Sequence, residues 1–181
     1  MKIIIALGNY GEKYNNTRHN VGFMFFDFLI GKSFLWEYDK RFNADIAYKD
    51  NIYFIKPRTF VNNSGLSLRK FMDYYNLLPK KLGLFPKKNL DLTDILTVVH
   101  DDLDIDFGRY KISTNSSSAG HNGVKSIIAH LKTQNFKRVR IGINNEYRKK
   151  IATERFVLQR FSRDENITIE KIFEEIKKDE I

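Results

Sequence analysis

Two polar segments carry the side chains best suited to acid–base chemistry. His19 follows a turn at Gly8 that ends an apolar run, and Asp101 follows His100 at the end of a second apolar run. Imidazole titrates near neutral pH and can take a proton from water. A carboxylate beside it raises the pKa of the ring and holds it in the tautomer that leaves one nitrogen free. The two segments predict a hydrolytic site that uses no side-chain nucleophile.

Three asparagines lie in separate loops near these segments. Asn9 belongs to the Gly8 turn, Asn62 to the segment 59–65, and Asn122 to the start of a predicted helix. A side-chain amide both donates and accepts hydrogen bonds, which suits recognition of a peptide backbone or of ribose hydroxyls. Asn62 and Asn122 also lie where a helix cap is expected. From the residues alone, recognition and capping both stay open for these two positions.

The acidic run after His100 offers a different chemistry. Asp101, Asp102 and Asp104 with His100 are residue types that bind divalent metals, so a metal-dependent phosphoesterase is one alternative. Side chains alternate along a strand, which sends Asp101 and Asp102 to opposite sides of the backbone and disfavours a shared metal. The sequence contains neither a P-loop nor a Gly-x-Ser-x-Gly motif. We therefore expect neither a metal nor a cofactor.

Composition narrows the class of protein and its partners. The 181 residues suit one domain, and the chain contains no cysteine and no apolar run near the ~20 residues of a membrane span. We expect a cytoplasmic protein with no membrane association. The net charge of +9 indicates a polyanionic partner such as nucleic acid, although a generally lysine-rich composition explains it equally well. The candidate phosphate contacts are Arg109, Lys125, Lys137 and Arg138.

Strands and helices alternate along the chain. Apolar runs predict strands at 2–7, 95–100, 109–113 and 138–143, and Asp50–Asn51 predicts a hairpin between 44–48 and 52–56. Helices are predicted at 21–30, around Leu68–Tyr75, at 124–131 and after a capping box at Ser162–Glu165. The segment 76–94 reads as a long surface loop. This order predicts an α/β fold: a single three-layer α/β/α domain over 1–181 with a twisted, mixed, mostly parallel sheet.

Several motifs occur in the order found in bacterial-type peptidyl-tRNA hydrolases, and the chain resembles that family along nearly its whole length. Each motif alone is weak, but their ordered combination is specific. The matching stretches are LGNYG at 7–11 with Tyr14, TRHNVG at 17–22, KPRTFVNNSG at 56–65, VHDDLD at 99–104, GHNGVKSII at 120–128, FKRVRIGI at 136–143 and FVL at 156–158.

The resemblance implies cleavage of the ester between a peptide and the 3′-terminal ribose of tRNA. It implies that His19 is the base that activates water, that Asp101 orients it, and that Asn9 distinguishes a blocked aminoacyl group from a free amine. It further implies a monomer without metal, which binds the 3′ acceptor end and the phosphate backbone of peptidyl-tRNA. Contacts to the acceptor end and the peptide are implied for Tyr14, Phe60, Asn62 and Asn122. A non-catalytic RNA-binding module on the same fold remains the alternative function.

Overall fold

The sheet that positions these segments has parallel strands at its centre. In the computed structural model, residues 1–31, 35–81, 85–86 and 88–180 are described. The strands in chain order are β1 Lys2–Ala6, β2 Glu37–Asp39, β3 Ala44–Lys49, β4 Ile52–Pro57, β5 Lys80–Lys81, β6 Phe85–Pro86, β7 Leu96–Asp106, β8 Tyr110–Ser113 and β9 Lys137–Asn144. Seven of these strands form one sheet in the order β2-β3-β4-β1-β7-β9-β8.

Parallel and antiparallel pairs are equally frequent in this sheet. The central neighbours β4-β1, β1-β7 and β7-β9 are parallel, and the outer neighbours β2-β3, β3-β4 and β9-β8 are antiparallel. The sheet is thus mixed, as predicted, but parallel pairs make up half of it rather than most. Tight turns join β2 to β3 and β3 to β4, which makes these pairs antiparallel, whereas β8 pairs antiparallel with β9 although α3 lies between them in the chain.

Helices cover both faces of the sheet and complete three layers. Helices α2 (Ser64–Tyr74) and α3 (Asn122–Leu131) pack with Ile5, Leu7 and Val98 on one face. Helices α1 (Val21–Ile30) and α5 (Arg163–Glu180) pack with Ile4 and Val139 on the other face. No helix in the described part of the chain is long and apolar enough to cross a membrane. The helices are α1 Val21–Ile30, α2 Ser64–Tyr74, α3 Asn122–Leu131, α4 Thr153–Val157 and α5 Arg163–Glu180.

Most elements with a clear pattern lie where the sequence predicts them. Helix α1 has the predicted bounds, and Asp50 and Asn51 both have positive φ, at 51° and 63°, as a two-residue type I′ hairpin turn requires. The capping box is present: the Ser162 hydroxyl accepts from the Glu165 N–H at 3.2 Å, and the Glu165 carboxylate accepts from the Ser162 N–H at 2.9 Å. The short elements β2 and α4 carry too few residues for a period and were not predicted.

Strand β7 is longer than the predicted 95–100. It runs through the acidic residues to Asp106, and pairs with β9 across an irregularity between Asp102 and Asp106. An acidic run does not read as a buried strand, but here ladder hydrogen bonds to β9 extend the strand past the point where β1 ends. Asp101 therefore lies inside a strand and takes its direction from the sheet.

The segment 76–94 differs from the expected irregular surface loop. It contains the antiparallel pair β5 and β6. Leu78 and Leu92, which lie within the segment on either side of this pair, are each only 3% exposed. Two-residue strands are too short to produce a period, which is why the sequence pattern does not reveal them. Burying a leucine on each side anchors the segment to the core. Residues 82–84 and 87 lie outside the described residues.

Candidate active site

The carboxyl edge of the parallel strands collects the predicted polar residues from five separate segments. Asn9 follows β1, and Phe60 and Asn62 follow β4. Asp101 lies in β7, just beyond the last pairing of that strand with β1. His19 lies in a 3₁₀ turn at Arg18–Asn20 that leads directly into α1. Helix α3 begins at the same edge, with Asn122 as its first residue.

His19 and Asp101 are in direct contact, as the sequence predicts. The His19 Nδ1 lies 2.8 Å from Asp101 Oδ1. Because a carboxylate oxygen can only accept, Nδ1 carries the proton and Nε2 presents its lone pair. The His19 side chain is 12% exposed and that of Asp101 only 2%. The pair thus consists of a largely buried carboxylate and an imidazole. The carboxylate accepts from Nδ1 of the ring, and Nε2 is available to act as a base.

The same carboxylate oxygen has a second imidazole partner, which the sequence analysis did not assign. His121 Nε2 lies 2.9 Å from Asp101 Oδ1. The sequence places His121 at a helix start, and the structure makes it the N-cap of α3, since its Nδ1 accepts from the N–H groups of Gly123 and Val124. A histidine beside Asn122 at a helix start was the available signal, but its contact with Asp101 depends on how α3 packs.

The pKa values in this cluster are set by burial and by interactions with the negative charge of Asp101. Burial alone lowers the pKa of His19, but the charge of Asp101 and the hydrogen bond to it outweigh burial, so the pKa lies above the ordinary 6.5. Burial alone raises the pKa of Asp101, but attraction to His19 and His121, and the hydrogen bonds that they donate, hold it below 3.8. Burial lowers the pKa of His100 to about 3, so this ring is neutral. Asp101 is therefore ionised throughout the neutral pH range.

Asn9 is held rigidly, with its amide oxygen already engaged. Its Oδ1 accepts from the Val61 N–H at 2.9 Å, and its backbone exchanges two hydrogen bonds of 2.9 Å with the side chain of Asn20. Since the Val61 N–H can only donate, the atom that faces it must be the amide oxygen. No hydrogen bond of the Asn9 Nδ2 is found in the described part of the chain, so this NH₂ group can donate to a ligand.

Two cavities take in some of the predicted residues, whereas Tyr14, Phe60 and Asn62 line neither of them. A cavity of about 340 Å³ is lined by His19, Asp101, His121 and Asn122. A neighbouring cavity of about 350 Å³ is lined by Asn9. The structure therefore groups Asn122 with the pair formed by His19 and Asp101, and places Asn9 in a separate cavity. The second cavity is also lined by Asn15, Asn16, Asn20, Asp27 and Asp45.

Two aromatic rings, the half-buried Tyr14 and the exposed Phe60, lie at this edge of the molecule. The rings of Tyr14 and Phe60 meet edge to face, with centroids 6.4 Å apart. Phe60 is 58% exposed despite its size, and Asn62 is also exposed in the turn that follows it. Large exposed rings beside a cavity suit stacking with a nucleobase.

The acidic run does not form one metal-binding group. Asp102 points away from Asp101 and accepts from Arg140 Nε at 2.8 Å. Donor atoms of His19, Asp101 and His121 lie within 4.8 Å of one another, close enough for a metal. Hydrogen bonds nevertheless account for the short contacts in this group, and one histidine nitrogen is also committed to capping α3.

The predicted phosphate contacts divide into exposed and buried residues. Lys125 and Arg109 are exposed, and Lys137 is half-buried. Arg138 is only 1% exposed, and its Nη1 donates to the Ser117 carbonyl oxygen at 2.9 Å. Arg138 is therefore not an available phosphate contact. The mixed sequence pattern of β9 does not show that this residue faces the interior beneath the 114–120 loop.

The layered α/β fold with a histidine–carboxylate pair in a cavity defines a candidate hydrolase. A family profile described as peptidyl-tRNA hydrolase matches residues 3–179, so the chain belongs to the peptidyl-tRNA hydrolase family. The crystal structure of peptidyl-tRNA hydrolase from Acinetobacter baumannii is similar, with 26% identity and a TM-score of 0.79 over 98% of this chain and 85% of that chain. A crystal structure of a peptidyl-tRNA hydrolase in complex with N-propanol gives the same values.

Proposed function

We propose that this protein hydrolyses the ester between the peptide and the tRNA in peptidyl-tRNA, with His19 as the general base. The observation that carries the proposal is the free Nε2 of His19 in a cavity, opposite the nitrogen held by Asp101 at 2.8 Å. Membership in the peptidyl-tRNA hydrolase family supplies the substrate. The proposal includes action as a cytoplasmic monomer without metal or cofactor.

The reaction follows from the position of one proton. His19 Nε2 removes a proton from a water molecule as the water oxygen attacks the ester carbonyl. Asp101 keeps the ring in the productive tautomer and stabilises the imidazolium that forms. The protonated His19 then returns the proton to the departing ribose oxygen. General-base assistance of this kind contributes about 10²–10⁴ in rate.

Recognition of the two halves of the substrate is assigned to the two cavities. Asn122 shares the cavity of His19 and is placed to contact the ester or the terminal nucleotide. Asn9 presents its amide NH₂ group to a peptide carbonyl in the neighbouring cavity, and this group is also the favoured donor to the oxyanion. Tyr14, Phe60 and Asn62 provide an aromatic and polar rim for the acceptor end.

His19→Ala tests the catalytic role directly. We expect release of peptide from a model peptidyl-tRNA to fall by about 10²–10⁴, while binding of the tRNA is retained. His130→Ala is the matched control, because His130 lies on α3 and bonds the Ser126 carbonyl oxygen outside the cavity. Near-normal turnover by His19→Ala rules out the proposed base. No turnover by the unaltered protein favours the non-catalytic RNA-binding alternative.

Asn9→Ala tests how the substrate is selected. With an N-blocked aminoacyl-tRNA, loss of the amide donor should lower kcat/KM by about tenfold or more, as expected for a buried hydrogen bond. With free aminoacyl-tRNA, which offers no peptide bond, the change should be much smaller. The measurement is the ratio of the two kcat/KM values for wild type and variant. Equal losses on both substrates contradict peptide recognition by Asn9 and favour a role at the oxyanion.

A further inference from the structure

His121 has both ring nitrogens committed to different parts of the protein. Its Nδ1 lies 3.1 Å from the Gly123 N and 3.3 Å from the Val124 N, and both of these groups can only donate. The proton of the neutral ring therefore lies on Nε2, which donates to Asp101 Oδ1 at 2.9 Å. The first turn of α3 thus selects the tautomer of His121, just as Asp101 selects that of His19.

A single oxygen atom serves both imidazoles. Asp101 Oδ1 accepts from His19 at 2.8 Å and from His121 at 2.9 Å, and the two ring centroids lie 5.1 Å apart. His100 packs edge to face against His121, with centroids 4.8 Å apart, and limits its rotation from behind. Both imidazoles donate to the same carboxylate oxygen. A hydrogen bond to one of them therefore weakens the hydrogen bond that this oxygen accepts from the other.

We propose that His121 is a positioning residue that fixes Asp101 and limits how strongly this carboxylate increases the basicity of His19. The proposal rests on the proposed role of His19 as the base. Sharing Asp101 between the two imidazoles balances two requirements of the base. An unshared Asp101 would keep His19 protonated, and therefore inactive, to a higher pH. A shared Asp101 still orients His19 but leaves more of it in the basic form at neutral pH.

Other charged groups near His19 come from every element around the cavity. Asp102 and Asp104 line it from β7, and Arg148 and Glu154 line it from the segment after β9. Asp102 is paired with Arg140 at 2.8 Å. Among the described residues, Asp101 is the carboxylate in hydrogen-bond contact with His19, so sharing of Asp101 is the interaction that a change at position 121 alters most.

His121→Ser separates the two roles of the side chain. Serine is a good N-cap and can replace Nδ1 as the acceptor for α3, but it is too short to take the place of Nε2 at Asp101. We expect the thermal midpoint to change little. The acidic limb of the kcat/KM profile should move up by about one pH unit, a tenfold change in proton affinity. Greater access of water to His19 acts in the same direction, because burial lowers its pKa.

Ser162→Ala is the control for loss of a helix cap. It removes the hydroxyl that accepts from the Glu165 N–H at the start of α5, and Ser162 itself does not line the cavity. This variant should lower the thermal midpoint and leave the pH profile unchanged. An unchanged acidic limb in His121→Ser, or a limb that moves to lower pH, overturns the proposal.

A second measurement does not depend on activity. Nitrogen-15 shifts of the histidine rings report which nitrogen carries the proton, and the neutral ring of His121 should carry it on Nε2. Protonation of His121 on Nδ1 overturns the proposal even if the enzyme is active. If His19→Ala retains activity, the proposed function fails first, whereas an inactive His19→Ala with an unmoved pH profile in His121→Ser refutes only the role of His121.

Discussion

At the scale of residues, the behaviour of the site depends on one buried carboxylate. Asp101 is ionised because His19 and His121 together outweigh the cost of its burial. The same charge raises the pKa of His19, and this has opposite effects on activity and on stability. A histidine with a raised pKa stabilises the fold fully below its unfolded value of 6.5, and this contribution disappears as pH rises through the folded pKa. Activity increases over that range, since the base must be neutral.

Asp101→Asn should uncouple these two effects. The amide removes the charge that raises the pKa of His19, so the acidic limb of kcat/KM should move to lower pH. An amide NH₂ at this position also favours the tautomer with the proton on Nε2, which cannot act as a base. We expect kcat to fall by about 10²–10⁴.

The pH profile of Asp101→Asn is measured on peptidyl-tRNA over the range from below 5 to above 8, with Asp104→Asn as the control. Asp104 is an exposed residue that lines the cavity but makes no side-chain contact with His19 in the described part of the chain. Equal profiles for the wild type and Asp101→Asn contradict the pairing.

At the scale of elements, the turn that carries His19 is held from the C-terminal part of the chain. Arg18 donates to Glu165 of α5 at 2.7 Å, and its guanidinium lies 4.9 Å from the ring centre of Phe156 and 5.0 Å from that of Phe161. Two of its nitrogens have no hydrogen-bond partner among the described residues, but the aromatic faces provide the negative potential that favours the cation. The residues after β9 therefore help to place His19.

Helices α2 and α3 approach each other closely at one glycine. A Cβ on Gly65 would lie 2.3 Å from the Ser126 carbonyl oxygen, and the Gly65 N–H donates to the Ser126 hydroxyl at 3.1 Å. Backbone atoms cannot give way as a flexible side chain can. This contact sets the position of α3, whose N-terminus carries His121 and Asn122.

Gly65→Ala should therefore destabilise the protein by at least about 1–3 kcal/mol through overpacking. Leu66→Ala is the neighbouring control, since Leu66 is 44% exposed and should change stability by about 0.5 kcal/mol or less. Urea unfolding followed by circular dichroism measures both. A stability of Gly65→Ala equal to wild type contradicts the close approach of the two helices.

At the scale of the whole molecule, charge and family point to the same partner. The net charge is +9, and the family acts on peptidyl-tRNA. The exposed basic residues Arg109 and Lys125, with Arg148 in the cavity wall, lie on or near the elements that form the site. Contacts of this kind attract phosphate groups without reading bases, so their strength depends on salt.

Binding of tRNA should weaken linearly on a log–log plot against salt concentration. The slope should be about 0.7–0.9 for each phosphate neutralised, and Lys125→Ala should reduce it by about that amount. Lys49→Ala is the control, because Lys49 is exposed and lies beside the hairpin turn at the opposite edge of the sheet. A slope that is unchanged by Lys125→Ala shows that Lys125 neutralises no phosphate. A binding constant that does not depend on salt contradicts an electrostatic interface as a whole.

The sequence by itself determined the elements whose signals are local. The periodicity of α1, the turn residues Asp50 and Asn51, and the capping box before α5 each depend on neighbours within a few positions. The motifs that carry the family resemblance also identified the pairing of His19 with Asp101. The helix, the turn and the capping box were predictable because side-chain periodicity, turn geometry and helix capping act over neighbouring residues.

Only the tertiary structure decided which distant residues share an atom or an environment. His19, Asp101 and His121 come from three segments, and their common hydrogen-bonded oxygen exists because β7, the 18–20 turn and the N-terminus of α3 meet at one edge. The burial of Arg138 and the extension of β7 through its acidic residues were likewise decided by neighbouring elements. Packing between segments far apart in the chain has no local pattern, and for that reason the folded structure was needed to reveal it.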